Sequence, residues 1–141
     1  MRYLGLDLGT KTLGLAISDR TGVIASFYDS IRYDNEEQLI EKIKDIVEKE
    51  NIDKIVLGLP KNMNGSLGFR AQDTISFKEK LEKKITQEII LQDERLTTKV
   101  ATDVLIQADM SRKKRKEVID GISAIVILQG YLDRKEHNYE W

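Results

Sequence analysis

The chain opens with three apolar segments joined by very short turns, and this limits its fold to a few sheet arrangements. Residues 2–8 are predicted to form the first strand, residues 13–18 the second and residues 23–31 the third. The turns, residues 9–12 and 19–22, each contain a glycine. Such short connections are typical of β-hairpins, so the three strands are expected to be antiparallel neighbours in one sheet.

Helices and strands alternate over the rest of the chain. A helix with an apolar face follows the third strand, and Asp34-x-x-Glu37 is its expected cap; the face consists of Leu39, Ile40, Ile43, Ile46 and Val47. Residues 54–58 form a buried fourth strand, which should lie parallel to the first because a helix intervenes. The next segments are a loop from 60 to 68, a weaker helix from 71 to 83, and a fifth strand from 88 to 91.

The last third of the chain is predicted to be helical. One helix is expected after Thr97 or Thr98, and a longer one from 112 to 132, followed by a polar tail that should fray after Asp133. The order β-β-β-α-β-α-β-α-α predicts a five-stranded mixed sheet flanked by helices. This α/β arrangement is ribonuclease H-like, and we expect one domain over residues 1–135 with residues 136–141 as the tail.

Composition excludes several classes of function. The chain of 141 residues has no cysteine, so disulfides, zinc–thiolate sites and cysteine nucleophiles are ruled out. Its one histidine, His137, lies in the tail, which leaves a serine–histidine triad unsupported. No G-x-G-x-x-G occurs. The absence of a leader or of an apolar stretch of about 20 residues leads us to expect a cytoplasmic location and no membrane contact.

Asp7 is the only charged residue within the apolar run of the first strand. Burying an unpaired carboxylate costs several kcal/mol, roughly, so the chain should supply a cation, and a metal ion is the simplest candidate. Glu94 follows the fifth strand and Asp120 lies near the start of the last helix, and the predicted fold brings all three carboxylates to one edge. Oxygen ligands without sulfur or histidine suit Mg²⁺ or Mn²⁺. Two such ions about 3.5–4 Å apart are typical of phosphodiester cleavage.

Each carboxylate also has an ordinary structural interpretation. Asp7 would accept hydrogen bonds from the backbone amides of the following turn. Glu94 would pair with Arg95, and Asp120 would pair with Lys116 four residues earlier on the helix, a contact worth about 0.3 kcal/mol.

A run of five cations at the start of the last helix suggests an anionic partner. This basic run is Arg112, Lys113, Lys114, Arg115 and Lys116. The helix macrodipole disfavours cations there, whereas free amide donors at the same end suit phosphate. We expect the phosphate-binding surface to extend to residues near the long loop and the fifth strand, namely Lys61, Asn62, Asn64, Arg70 and Arg95. Aromatic residues are few, so base stacking is expected to be minor and binding to follow the backbone.

Several motifs in fixed order resemble the bacterial YqgF family, also called the pre-16S rRNA nuclease or Holliday-junction-resolvase-like family. They are Gly5 to Lys11, Gly58 to Ser66, Arg70-Ala71, Asp93 to Thr98 and Asp120 to Gln129. The resemblance implies a ribonuclease H-like fold, a cytoplasmic location and trimming of the 5′ end of precursor 16S rRNA. It also implies that Asp7, Glu94 and Asp120 are catalytic.

Three departures from the family pattern occur. Phe69 stands where proline is frequent, Thr12 where arginine is frequent, and Gly121 and Ser123 replace more helix-favouring residues near Asp120. Gly121 and Ser123 are expected to loosen that turn of the helix. None of these departures removes a carboxylate.

The sequence leaves four hypotheses open. The first is an endonuclease with Mg²⁺ or Mn²⁺ that acts on RNA, with ribosomal particles as further partners. The second is a resolvase of branched DNA, which needs a dimer, although the chain is expected to be a monomer or a weak homodimer. The third is a non-catalytic nucleic-acid-binding module. The fourth, a nucleotide phosphotransferase, is suggested by the Asp-Leu-Gly-Thr turn but normally needs two domains.

Overall fold

The computed structural model describes residues 1–60, 68–93 and 112–139, and describes side chains within residues 1–60, 68–93 and 121–135. Five strands and three helices lie in these segments. They are β1 (Tyr3–Leu8), β2 (Thr12–Ser18), β3 (Ala25–Arg32), α1 (Glu36–Lys49), β4 (Lys54–Leu59), α2 (Phe69–Glu82), β5 (Glu88–Asp93) and α3 (Arg112–Tyr139). The helix expected after Thr97 or Thr98 lies outside the described residues.

The five strands form one mixed sheet in the order β3-β2-β1-β4-β5. β1 pairs with β2, and β2 with β3, in the antiparallel sense, as the short turns predict. β4 pairs with β1, and β5 with β4, in the parallel sense, because a helix crosses over before each of them. The predicted ribonuclease H-like arrangement is confirmed.

Each face of the sheet is covered by its own helices. Alternate residues of β1 point to opposite faces, so Leu4, Leu6 and Leu8 pack with α1 and α2 in the larger core. Tyr3 lies on the other face, where α3 covers the sheet with a second core that includes Leu128. Because Asp7 follows Tyr3 at an even spacing, it belongs to the α3 face.

α3 lies very close to β1 and runs antiparallel to it. A Cβ on Gly5 would lie 2.7 Å from Leu128 Cβ and 3.2 Å from the Ala124 carbonyl oxygen, so only glycine leaves room for the helix. Further along α3, the ring of Tyr131 lies 5.7 Å from that of Tyr3. Since Tyr3 precedes Gly5 whereas Tyr131 follows Leu128, strand and helix point in opposite directions.

Gln129 fixes α3 to the turn between β2 and β3. Its Nε2 donates to the Val23 carbonyl oxygen at 2.9 Å, and its Oε1 accepts from the Ala25 backbone N–H at 2.9 Å. Asp19 organises that turn by accepting hydrogen bonds from the backbone N–H groups of Ile24 and Val23. The position of α3 is therefore set both by packing and by directional hydrogen bonds.

The cap of α1 differs from the expectation, and Gly121 has a role beyond the one expected of it. The cap of α1 is Asn35 rather than Asp34: the Asn35 side chain accepts from the Glu37 backbone N–H at 2.7 Å. Gly121 has a packing role, because a Cβ there would lie 2.4 Å from the Phe27 ring. The glycine therefore accommodates an aromatic side chain of β3 rather than simply loosening the helix.

The end of the chain that was expected to fray is helical as far as Tyr139. Lys135 helps to hold it, since its Nζ donates to the Tyr3 hydroxyl at 3.0 Å and lies over the Tyr3 ring. Although α3 has 28 residues, no helix in the described segments combines the length and apolar character that crossing a bilayer requires.

Candidate active site

Asp7 lies near the carboxyl end of β1, where the sheet meets solvent. It is only partly buried, whereas every other residue of β1 is buried. The apolar run predicted a buried carboxylate, whereas Asp7 is partly buried because the strand ends one residue later. The carboxylate keeps part of its hydration, so its desolvation cost is smaller than that of a fully buried group. We call the carboxyl ends of β1, β4 and β5 the site edge.

The register of the parallel strands shows which residues share a row with Asp7. Leu6 pairs with Leu57, and Leu57 pairs with Leu91. Asp7, Gly58 and Gln92 each follow one residue later, so they form the next row and lie on the α3 face. Gly58 contributes no side chain between the other two.

Gln92 adds a second oxygen acceptor to the Asp7 row. Its Oε1 is buried and has no hydrogen-bond partner among the described residues. Its Nε2 lies 3.3 Å from the position that a Cβ on Gly130 would take, so the amide group lies beneath α3. A buried acceptor that has no donor costs about 1–3 kcal/mol, and Gln92 is the one such case among the buried side chains that the structure describes.

The direction of α3 brings the backbone of Asp120 toward the site edge. Ala124 lies over Gly5. From Gly5 to Asp7 the strand rises about 6.6 Å, and from Ala124 back to Asp120 the helix rises about 6 Å in the same direction. The helical turn that carries Asp120 is therefore at the same end of the sheet as Asp7. The Asp120 side chain is outside the described residues.

Two side chains from other elements hold the end of β1. Arg70, in the first turn of α2, donates from Nη2 to the Leu8 carbonyl oxygen at 3.3 Å. Tyr33, which follows β3, donates from its hydroxyl to the Gly9 carbonyl oxygen at 2.6 Å. Its backbone N–H also donates to the Lys11 carbonyl oxygen at 2.9 Å. These contacts fix the strand end and the hairpin turn that follow Asp7 directly.

The electrostatic environment of Tyr33 keeps its hydroxyl protonated. Burial raises its pKa above the ordinary value of 10.0, and the negative charge of Glu36 raises it further, whereas Arg70 opposes both effects. The neutral hydroxyl is therefore available as the donor to Gly9 at physiological pH. Arg70 itself is exposed, so its remaining N–H donors can face solvent at the site edge.

The structure describes only some of the predicted site residues. Asp7 and Arg70 both lie at the site edge, because Arg70 donates to the carbonyl oxygen of Leu8, the residue after Asp7. Five others lie outside the described residues: Lys61, Asn62, Asn64, Glu94 and Arg95. Among the side chains that are described, no three acidic or histidine residues come close enough to hold a metal ion.

The basic run occupies the first turns of α3, as predicted. α3 begins at Arg112 and has no acidic residue in its first turn, so backbone partial charges and side-chain charges there have the same sign. The backbone of Lys113, Lys114, Arg115 and Lys116 lies in this helix, while their side chains are outside the described residues. The expectation of phosphate contacts remains a prediction.

Sequence reasoning missed Tyr33, Gly58 and Gln92. Tyr33 lies between β3 and α1, and no motif distinguishes it from an ordinary surface tyrosine. The alternation of side chains along parallel strands would have placed Gly58 and Gln92 beside Asp7, but only once the register was known. The register depends on tertiary packing, so local patterns do not reveal it.

Comparisons with other sequences give consistent matches over nearly the whole chain. A family model described as RuvX, Holliday junction resolvase, matches residues 1–134. A protein of Bacillus cytotoxicus named "Putative pre-16S rRNA nuclease" is 50% identical over 137 residues, which cover 96% of this chain and 100% of the relative. A protein of Clostridium acetobutylicum with the same name is 47% identical, covering 94% and 98%.

Solved structures with similar folds are more distant in sequence. The Fowlpox virus resolvase in complex with Holliday junction DNA has a TM-score of 0.60 and 17% identity, with coverage of 95% of this chain and 98% of that chain. Thermus thermophilus RuvC in complex with a Holliday junction substrate has a TM-score of 0.61 and 9% identity, with coverage of 97% and 96%. At such low identity these structures show a shared fold alone.

Proposed function

Because the chain belongs to the RuvX family, we propose that it is a metal-dependent endonuclease that cleaves phosphodiester bonds in precursor 16S rRNA. The curated relatives that carry the name "Putative pre-16S rRNA nuclease" are matched over at least nine-tenths of their length. That name, together with the family resemblance, favours RNA over DNA and removal of the 5′ extension of the precursor. The expected location is the cytoplasm, where ribosomal particles are assembled.

The observation that carries this proposal is the position of α3 relative to β1. The close contact at Gly5 and the antiparallel direction of the helix bring the turn of Asp120 to the end of the sheet that carries Asp7. Arg70 reaches the same end through its hydrogen bond to Leu8. The turn that carries Asp120 thus lies at the same edge of the sheet as Asp7 and Arg70, which supports a site over isolated surface charges.

The donor set that we propose consists of carboxylate oxygens, which Mg²⁺ and Mn²⁺ prefer. Asp7, Asp120 and Glu94 would hold one or two such ions. When bound, these ions would supply the charge that activates water and stabilises the leaving oxygen. Arg70 would hold a substrate phosphate at the strand end, and the basic run would bind the strand farther along its backbone.

Replacing Asp7 by asparagine tests the catalytic role. The variant keeps the size of the side chain but removes its charge, so metal-dependent cleavage of a precursor rRNA fragment should be lost while RNA binding is retained. Asp45→Asn, on an exposed position of α1, is the matched control and should cleave normally. Cleavage at the wild-type rate by Asp7→Asn would refute the mechanism.

Replacing Arg70 by alanine tests the phosphate contact. Loss of a guanidinium–phosphate interaction should weaken RNA binding by about tenfold, which corresponds to about 1.4 kcal/mol. Arg20→Ala is the control, because Arg20 is exposed in the turn between β2 and β3, at the opposite end of the sheet. Equal affinities for the two variants, measured by fluorescence anisotropy, would exclude Arg70 as a substrate contact.

A second candidate function is resolution of four-way DNA junctions, which the description of the family model favours. This activity requires two active sites on paired strands, and hence a dimer. Cleavage of junction DNA and of precursor RNA should be compared in parallel, with the mass of the protein measured in solution. Paired cuts in junction DNA by a dimer, without cleavage of RNA, would replace the first proposal with the second.

A further inference from the structure

Phe69 is an aromatic residue that the fold does not use for its core. Its side chain is 87% exposed, more than any other large hydrophobic side chain in the described segments. The other two phenylalanines have packing roles: Phe77 is fully buried in the larger core, and the ring of Phe27 packs against Gly121. The exposure of a single apolar residue is common, so its position in the molecule decides whether it has a role.

That position is the site edge. Phe69 is the first residue of α2 and directly precedes Arg70. Arg70 donates to the carbonyl oxygen of Leu8, the neighbour of Asp7. Two more exposed cations lie at this end of the sheet, because Lys11 is in the turn between β1 and β2 and Arg32 ends β3. Phe69 is therefore an exposed aromatic residue at the end of the sheet that carries Asp7 and several exposed cations.

We infer that Phe69 is a stacking platform for an unpaired base of the RNA strand that is cleaved at the site edge. This inference rests on the proposed nuclease function and specifies its substrate as single-stranded. The exposed ring offers an apolar surface for a base, and Arg70, the next residue, offers a cation for a phosphate of the same strand. Such stacking tolerates any base, because every base has a π-face. A base in a duplex is already stacked on its neighbours, so Phe69 selects for single-stranded segments.

The inference revises the expectation that stacking is minor in this protein. A low aromatic content argues against a broad stacking surface of several rings. It does not argue against one ring at the position where the strand enters the site.

The test measures RNA binding in the Asp7→Asn variant, in which cleavage is blocked. The probes are a single-stranded RNA that contains 2-aminopurine and the same RNA in a duplex. Phe69→Ala in this background should weaken single-strand binding by about 5- to 100-fold and leave duplex binding within about twofold. Phe69→Trp should restore the affinity, and stacking should quench the probe fluorescence in the Asp7→Asn parent and in the tryptophan variant.

Ile24→Ala is the matched control, because Ile24 is an exposed apolar residue (64%) at the opposite end of the sheet. It should bind both probes as the parent does. Removing the Phe69 ring should not change the melting temperature, because so exposed a side chain leaves no cavity.

Two results would overturn the inference. If Phe69→Ala binds single-stranded RNA as the parent does, or loses affinity equally for both probes, the ring does not stack on an unpaired base, and its exposure then points to a protein partner. If the Asp7→Asn parent binds neither probe, the proposed function fails and the stacking role fails with it.

Discussion

Replacing Gly5 by alanine tests the close contact between β1 and α3 on which the position of Asp120 depends. The added Cβ would lie 2.7 Å from Leu128 Cβ and 3.2 Å from the Ala124 carbonyl oxygen. Carbon atoms in contact prefer a separation of about 3.5–4.0 Å. The Cβ of Leu128 is attached directly to the helix backbone, so rotation of the side chain cannot relieve the overlap. α3 must move away from the sheet.

The expected loss of stability follows from two opposing contributions. Overpacking of this kind costs about 1–3 kcal/mol of unfolding free energy. Alanine recovers about 0.5–1 kcal/mol because a glycine in a strand loses more conformational entropy on folding. The net loss is about 0–2.5 kcal/mol, and for a chain of this size it should lower the melting temperature by up to about 8 °C.

Gly130→Ala provides a matched control on the same helix. Among the described residues, its new Cβ would meet only the Nε2 atom of Gln92, at 3.3 Å, which is the end of a flexible side chain. Alanine also favours a helix by about 1 kcal/mol over glycine. Thermal unfolding should therefore show an unchanged or raised melting temperature for Gly130→Ala. Equal stability of the Gly5→Ala and Gly130→Ala variants would refute the proposed contact.

The Gly5→Ala variant should also lose cleavage activity beyond what its stability explains. A helix that is displaced from β1 carries the turn of Asp120 away from Asp7. The rate of cleavage, measured well below the melting temperature of both variants, should therefore fall for Gly5→Ala and not for Gly130→Ala.

Other predictions concern a cap, a turn and the basic run. Asn35→Ala should lower the unfolding free energy, measured by urea denaturation, by about 1 kcal/mol, whereas Asp34→Ala should leave it unchanged. A loss of stability in Asp34→Ala alone would identify Asp34 as the cap. Hydrogen bonds to Asp19, led by that from the Ile24 N–H, lower its pKa from 3.8. The charged form of Asp19 therefore stabilises the fold above pH 3.8, and this stabilisation decreases as the pH falls below 3.8. The difference in melting temperature between the wild type and Asp19→Asn should therefore narrow between about pH 5 and about pH 2. A difference in melting temperature that does not change with pH would contradict the lowered pKa of Asp19. Lys113→Ala should reduce the slope of log affinity for single-stranded RNA against log salt by about 0.7, and an unchanged slope would exclude a phosphate contact.

The sheet was predictable because its signals are local. Glycine-containing turns specify hairpins, and an intervening helix implies a parallel pair, so the strand order follows from connection lengths. The ends of elements were less predictable. Asn35 and Asp34 are both good caps in isolation, and only the path of the chain into α1 chooses between them. The helical end of α3 depends on Lys135 contacting Tyr3 from the far end of the sequence, which no local pattern shows.

The candidate site was predictable only in part, for a similar reason. The sequence identified Asp7 as unusual because it is a charge within an apolar strand. It could not show that Gly5, two residues earlier, lets α3 approach closely enough to bring Asp120 to the same end. The contacts of Tyr33 and Arg70 with the end of β1 also depend on elements that are distant in the chain.

The most direct test of the account is a crystal structure of the protein soaked with Mn²⁺ and measured for anomalous scattering. The account predicts a peak at the site edge that lies within about 2.5 Å of carboxylate oxygens from both Asp7 and Asp120. A well-ordered site edge without a peak, or with the two carboxylates directed to separate surfaces, would contradict it.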